Sequence, residues 1–98
     1  MTFKLSFANR GRNDLQGLRS NPNYAKRRKA VENALGKLQT NPRHPGLNTH
    51  KFDGMKGPNG EDVFEAYAEN NTPGAYRIFW MYGPGKDVIT IVAITAHP

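Results

Sequence analysis

The sequence contains no cysteine, so neither disulfide bonds nor thiolate zinc sites hold it together. It has no apolar run near the roughly 20 residues that cross a bilayer. The first residues, "MTFKLSFANRGRND", lack an apolar stretch of signal-peptide length. We therefore expect a cytoplasmic protein without a membrane partner. The length of 98 residues predicts a single domain spanning residues 1–98.

Motifs for metal, nucleotide or nucleophilic chemistry are also missing. HExxH, GxxxxGK[ST] and GxGxxG do not occur, and neither serine lies between the glycines of a nucleophile elbow. Three histidines are present, His44, His50 and His97, without metal-ligand spacing. We expect no metal and no cofactor, which leaves acid–base chemistry and charge stabilisation.

Acidic residues are scarce in the first half of the chain. Residues 1–51 contain 11 Lys and Arg against 2 Asp and Glu, whereas residues 52–98 contain 3 against 6. This imbalance, with a pI near 9.9, is typical of proteins that bind nucleic acid, and it equally suits an acidic protein partner. The densest basic run includes Arg27, Arg28 and Lys29, which we predict to bind substrate, although such a run is often only a solvated helix face.

The apolar pattern predicts an α+β domain. "TFKLSFA" alternates as a strand does, and "NPNYAKRRKAVENALGKLQTNP" has helical periodicity, with Asn21 and Pro22 at its start and Asn41-Pro42 at its end. "NRGRNDLQGLRS" is ambiguous because two glycines weaken a helix. Three or four strand-like segments follow, separated by turn residues. The expected order is an N-terminal strand, one or two helices, then a mostly antiparallel sheet of three to four strands.

Arg77 is an unexpected residue in "AYRIFWMY", a strand-like segment that otherwise carries aromatic and aliphatic side chains. It either pairs with Glu65 or Glu69 on the neighbouring strand or offers its guanidinium to a phosphate. If residues 70–74 form the loop, Tyr67 lies directly opposite Arg77, and Glu65 shares the same face.

His97 stands at the end of the last strand-like segment, "VITIVAIT" followed by "AHP". It joins the face of Arg77 if the preceding hairpin loop has an odd length, such as residues 83–87, whereas a four-residue loop directs it to the other face. A frayed terminal residue is the alternative interpretation.

Three segments, "HKFDGM", "AYRIFW" and the final strand ending in "AHP", resemble the RelE/ParE superfamily of toxins from type II toxin–antitoxin systems. The ending is most similar to the YoeB-type branch, in which a histidine follows the final strand. The resemblance implies a RelE-like α+β fold and a ribosome-dependent mRNA endoribonuclease that inhibits translation. Its partners would be a cognate antitoxin, the ribosome and mRNA. The alternatives are a ParE-like DNA gyrase inhibitor that is not an enzyme, and a non-toxic binding relative.

The resemblance also implies roles for individual residues. Arg77 matches the phosphate-stabilising arginine and His97 the general acid. The carboxylate base of the YoeB-type branch falls at Gly46, so His50 and Glu65 are the candidates for the base.

Substrate contacts are expected from further residues near the same segments. Lys51 and Lys56 are the nearby lysines that would bind RNA. Pro98 replaces the aromatic residue that stacks on a base in the family, so Tyr67 or Phe79 would supply the stacking, although core packing is the more common role of such residues.

Overall fold

The computed structural model describes residues 2–97, which form two helices and one five-stranded sheet. The helices are α1 (Asn9–Ser20) and α2 (Ala25–Thr40), and the strands are β1 (Lys4–Phe7), β2 (His50–Lys56), β3 (Asp62–Tyr67), β4 (Tyr76–Tyr82) and β5 (Val88–Ala96). The predicted α+β order is confirmed. Pro98, the expected substitute for a stacking aromatic, lies outside the described residues. Within 2–97 no helix is long and apolar enough to cross a membrane.

The two helices begin and end for local reasons. Asn21 caps a short 3-10 turn, Pro22–Tyr24, through a 3.0 Å hydrogen bond from the Asn23 amide, and α2 starts only after that turn. It ends at Thr40, before Asn41-Pro42, as the sequence predicts. The ambiguous segment is a full helix, α1. Its Gly11 is buried against β5, where a Cβ would collide with the Ile91 carbonyl oxygen.

The strands form one sheet in the order β1–β5–β4–β3–β2. The predicted terminal sheet is present, and β1 adds a fifth strand, running parallel to β5 from Lys4 opposite Val88 to Phe7 opposite Ile91. All other neighbours are antiparallel. β5 lies between β1 and β4 and contributes apolar residues to the clusters on both faces of the sheet, which explains its almost continuous hydrophobic run.

The two faces of the sheet differ in what covers them. Both helices pack on one face, where the main core joins Leu18, Val31 and Leu38 to Trp80 and Ile91. The opposite face, which we call the open face, carries a smaller apolar cluster of Val63, Phe79 and Ala93, bordered by Phe52, Met55 and Val92. No helix among the described residues covers the open face, so polar side chains there are available to a partner or substrate.

A β-bulge in β5 decides which side chains reach the open face. Tyr82 pairs with Ile89 and Trp80 with Ile91, but Phe79 pairs with Ala93, so Val92 is an extra residue in β5. The bulge lets Ile89, Ile91 and Ile94 all face the helices, although their spacing breaks strict alternation. From Ala93 onward, odd-numbered residues of β5 lie on the open face.

His97 reaches the open face for a different reason than the odd-length loop that the sequence analysis requires. The backbone pairing continues past β4 to Gly83, whose amide donates to the Val88 carbonyl at 2.8 Å. The connection therefore acts as a four-residue loop, which by itself would direct His97 to the helical face. The bulge at Val92 shifts the register by one residue and brings His97 to the open face instead.

Candidate active site

A buried carboxylate, Glu65, lies at the centre of the polar part of the open face. Its side chain is 1% exposed, although glutamate is rarely buried without partners. Both carboxylate oxygens are used: Oε1 contacts His50 Nε2 at 2.8 Å, and Oε2 contacts His97 Nδ1. Arg77 Nε lies 3.8 Å from Oε2. We call these four residues the Glu65 cluster.

Arg77 is held rigidly within this cluster. Tyr67 stands opposite it across the β3–β4 pair, as the sequence predicts, and the guanidinium carbon lies 3.7 Å above the Tyr67 ring centre. Arg77 Nη1 also donates to the Glu69 backbone carbonyl. The side chain is only 14% exposed, so the charge sits in a partly desolvated position where it acts more strongly on a bound anion.

His50 starts β2 and uses both of its ring nitrogens. Nδ1 lies 2.8 Å from the Asn48 carbonyl oxygen, which can only accept, so Nδ1 carries a hydrogen. Nε2 contacts the Glu65 carboxylate, and the ring edge packs against Tyr67 with centroids 5.9 Å apart. Both ring nitrogens of His50 are therefore engaged, one with the backbone and one with the buried carboxylate.

His97 reaches the cluster from the end of β5. Its Nδ1 contacts Glu65, and its ring meets Phe52 edge-on with centroids 5.7 Å apart. The side chain is 53% exposed, and no hydrogen bond to Nε2 is found among residues 2–97. A carboxylate on one ring nitrogen fixes the tautomer and leaves the other nitrogen to exchange protons.

Comparison with known proteins gives matches at the level of structure only. No protein-family model matches the sequence, and no curated protein matches it. A chain of the archaeal RelE–RelB complex from Pyrococcus horikoshii superposes with a TM-score of 0.64 at 17% identity, covering 98% of this chain and 96% of that one. YoeB from Staphylococcus aureus gives 0.64 at 14% identity with both chains fully covered. A chain of the E. coli RelBE complex gives 0.61 at 18% identity, covering 98% of each.

The chain has a RelE-like fold. The resemblance that three short segments indicate is thus confirmed at the level of the fold, over nearly the whole chain. Sequence identities of 14–18% establish a shared fold but do not show that site residues are shared. The role of each residue in the Glu65 cluster must therefore be argued from the geometry of this chain.

The expected RNA-binding lysines lie on β2 but are engaged with one carboxylate. Asp62 Oδ1 receives Lys56 Nζ at 3.0 Å and lies 3.5 Å from Lys51 Nζ. The hydrogen bond from Lys56 holds the pKa of the exposed Asp62 carboxyl below its usual value. Lys51 pairs with Phe64, which packs on the helical face, so Lys51 points away from the Glu65 cluster although it follows His50 directly.

The basic run lies on α2, on the helical side of the sheet. Arg27 Nε binds Glu69 at 2.9 Å and its guanidinium lies 4.2 Å above the Tyr76 ring centre. Arg28 pairs with Glu32 one turn later. Lys29 is exposed. Arg27 and Arg28 are thus paired with carboxylates, and Arg27 shares Glu69 with Arg77, which donates to the backbone carbonyl of that residue.

A cleft beside His97 contains residues that sequence analysis missed. It has a volume of about 630 Å³, and its lining includes Arg10, Phe52, Met55 and Thr95. Phe52 stands two residues after His50 in "HKFDGM". Strand alternation therefore places both side chains on one face and could have predicted Phe52 near the site. Arg10 belongs to α1 and arrives only through folding. A second cleft, of about 460 Å³, adjoins His50 and includes Arg43, Trp80 and Tyr82.

The donor groups of the open face suit proton transfer and anion binding. Among residues 2–97, no three His, Asp or Glu side chains are placed to share a metal ion. In the Glu65 cluster, imidazole nitrogens point at carboxylate oxygens at hydrogen-bond distance instead. The arrangement can hold an anion beside Arg77 and exchange protons through His97.

Proposed function

We propose that this protein is the toxin of a type II toxin–antitoxin system and a ribosome-dependent mRNA endoribonuclease. The observation that carries this proposal is the convergence of His97 and Arg77 on one buried carboxylate, on the open face of a RelE-like fold. The net charge of +6 suits an RNA substrate. The printed descriptions of the similar structures concern RelE, YoeB and their RelB complexes, which supports the toxin assignment.

The proposed reaction is transfer of a phosphodiester to the neighbouring 2′-hydroxyl. A base removes the 2′-OH proton, O2′ attacks phosphorus, and the bond from phosphorus to O5′ breaks. Arg77 stabilises the charge that develops on the phosphoryl oxygens, because its guanidinium is fixed against Tyr67 before substrate arrives. His97 donates a proton from Nε2 to the leaving O5′. The products are a 2′,3′-cyclic phosphate and a 5′-hydroxyl.

The base is either His50 or Glu65, and burial favours His50. Glu65 is 1% exposed and contacts two imidazoles, so a 2′-OH has no direct access to it. His50 is 49% exposed. In this assignment, the 2′-OH replaces Glu65 Oε1 as the partner of His50 Nε2, which takes the proton, while Nδ1 keeps its hydrogen on the Asn48 carbonyl. Glu65 orients both histidines and stabilises the charged imidazole without becoming protonated itself.

The proposed antitoxin would cover the open face or displace part of the Glu65 cluster. An antitoxin of acidic character fits the basic surface of this chain. The exposed side chains Lys26 and Lys29 lie on α2, on the helical side of the sheet, where they would contact ribosomal RNA and not the phosphate that is cleaved.

The decisive experiment maps mRNA ends after induced expression of the wild type, His97→Ala and His44→Ala. We expect codon-related mRNA fragments and growth arrest in the wild type, and neither in His97→Ala. His44 is the control histidine: its Nδ1 accepts from the Gly46 amide, and it lines the cleft beside His50 without belonging to the Glu65 cluster. Full cleavage by His97→Ala would contradict the assignment of the general acid.

The same experiment separates the non-enzymatic alternative. A ParE-like gyrase inhibitor would leave mRNA intact, cause gyrase-linked DNA damage and stay toxic without His97. A non-toxic relative would give neither fragments nor growth arrest.

A further inference from the structure

The bulge in β5 is held by a side chain from outside the sheet. β1 pairs with β5 only as far as Ile91, so the N–H groups of β5 on that side have no strand partner beyond it. The Ile94 amide is one of these groups, and it donates to Asp14 Oδ2 of α1 at 2.9 Å. A hydrogen bond to a carboxylate is stronger than one between neutral groups.

The contact is specific to the bulged register. Val92 is the extra residue, and Ile94 follows it by two positions. The close approach of α1 depends on Gly11, which lies against the Ile91 carbonyl and places Asp14 one turn further along. Without the bulge, residues 93–97 would turn by one position, and the Ile94 amide would point away from Asp14.

We infer that Asp14 is a positioning residue, which fixes the β-bulge at Val92 and thereby directs His97 to the face of Arg77 and Glu65. Asp14 itself touches neither His97 nor any proposed substrate position. Its effect passes through three residues of strand, Ile94 to Ala96. The structural part of this inference is independent of catalysis, and only its effect on RNA cleavage rests on the proposed function.

The test compares Asp14→Ala with Asp14→Asn and Asn13→Ala. Asparagine keeps an oxygen that accepts from the Ile94 amide but loses the exposed ion pair with Arg10, whose Nε lies 3.8 Å from Asp14. Asn13, on the same turn, is exposed and serves as the helix control. The direct readout is the nuclear Overhauser effect between the His97 imidazole and the Phe52 ring, whose centroids lie 5.7 Å apart.

We expect Asp14→Ala to lose the His97–Phe52 effect, and Asp14→Asn and Asn13→Ala to retain it. Retention of the effect in Asp14→Ala would overturn the inference. In RNA cleavage, Asp14→Ala should lower kcat by about 10²–10⁴-fold with little change in KM, the contribution of a positioned general acid that no longer faces the substrate. If the wild type cleaves no RNA, the proposed function fails, whereas the resonance measurement still decides the role of Asp14.

A measurement on the wild type covers the case in which Asp14→Ala does not fold. Hydrogen exchange at the Ile94 amide should be as slow as at Ile89 and Ile91, although no strand pairs with Ile94 on that side. Fast exchange at Ile94 beside slow exchange at its neighbours would overturn the inference.

Discussion

At the scale of single residues, the geometry of the Glu65 cluster depends on one buried carboxylate. Glu65 binds His50 and His97 through different oxygens and lies near Arg77. A carboxylate at 1% exposure is stable only because these cationic or protonated partners replace its water. The same contacts fix the ring orientation of both histidines. The hydrogen bonds that allow Glu65 to be buried therefore also preorganise the two imidazoles.

Glu65→Gln tests this dependence. The amide keeps the shape but cannot accept from both imidazoles, so we expect the free energy of unfolding to fall by about 1–3 kcal/mol. We also expect kcat for RNA cleavage to fall by about 100-fold, because the histidines lose their orientation. Urea unfolding and single-turnover kinetics measure the two effects.

Glu32→Gln is the matched control. Like Glu65, Glu32 has more than one side-chain partner, but these are Arg19 and Arg28 on the helix surface. Its loss should cost below about 1 kcal/mol and leave kcat unchanged. Equal effects of the two substitutions would show that the Glu65 cluster has no special role.

At the scale of elements, β5 and α1 act together. The strand supplies Ile89, Ile91 and Ile94 to the main core only because the bulge at Val92 changes its alternation. Helix α1 accommodates the strand through Gly11, which leaves room for the Ile91 carbonyl. The glycine that weakens the helix in isolation is thus required by the packing.

Comparison of Gly11→Ala with Gly17→Ala separates the effect of helix propensity from the effect of packing within α1. A Cβ at Gly17 meets nothing within 4 Å, so alanine there should stabilise the protein by about 0.5–1 kcal/mol. A Cβ at Gly11 collides with backbone, so alanine there should destabilise it by about 1–3 kcal/mol. Thermal unfolding gives both values. Stabilisation by both substitutions would mean that α1 moves freely relative to β5.

At the scale of the whole molecule, the exposed lysines of α2 and the Glu65 cluster occupy opposite sides of the sheet. Lys26 and Lys29 are exposed on α2, whereas His97 and Arg77 lie on the open face. Arg27 pairs with Glu69, and Arg28 pairs with Glu32. These ion pairs neutralise part of the positive charge that the sequence predicts to be available for RNA. Binding and cleavage should therefore respond to different substitutions.

Salt dependence of ribosome binding tests this separation. Lys26→Gln combined with Lys29→Gln should reduce the slope of log K against log salt by about 1 for each phosphate that the protein no longer neutralises. The cleavage rate of bound complexes should not change. Lys86→Gln, in the exposed turn between β4 and β5, should leave the slope unaltered. An unaltered slope in the double variant would exclude α2 from the RNA interface.

The sequence alone determined the element order, the helical face of β4 and the pairing of Tyr67 with Arg77, because these follow from local periodicity and a short loop. The short segments around His50, Arg77 and His97 also indicated the RelE-like fold. Tertiary structure alone decided that Glu65 is buried between two histidines and that His97 reaches the open face. The bulge in β5 cannot be predicted from the sequence, because residues on both faces of this strand are hydrophobic and no change in alternation marks the extra residue. Asp14 and Gly11 stabilise the bulge from 80 residues away along the chain, a distance over which no sequence period extends.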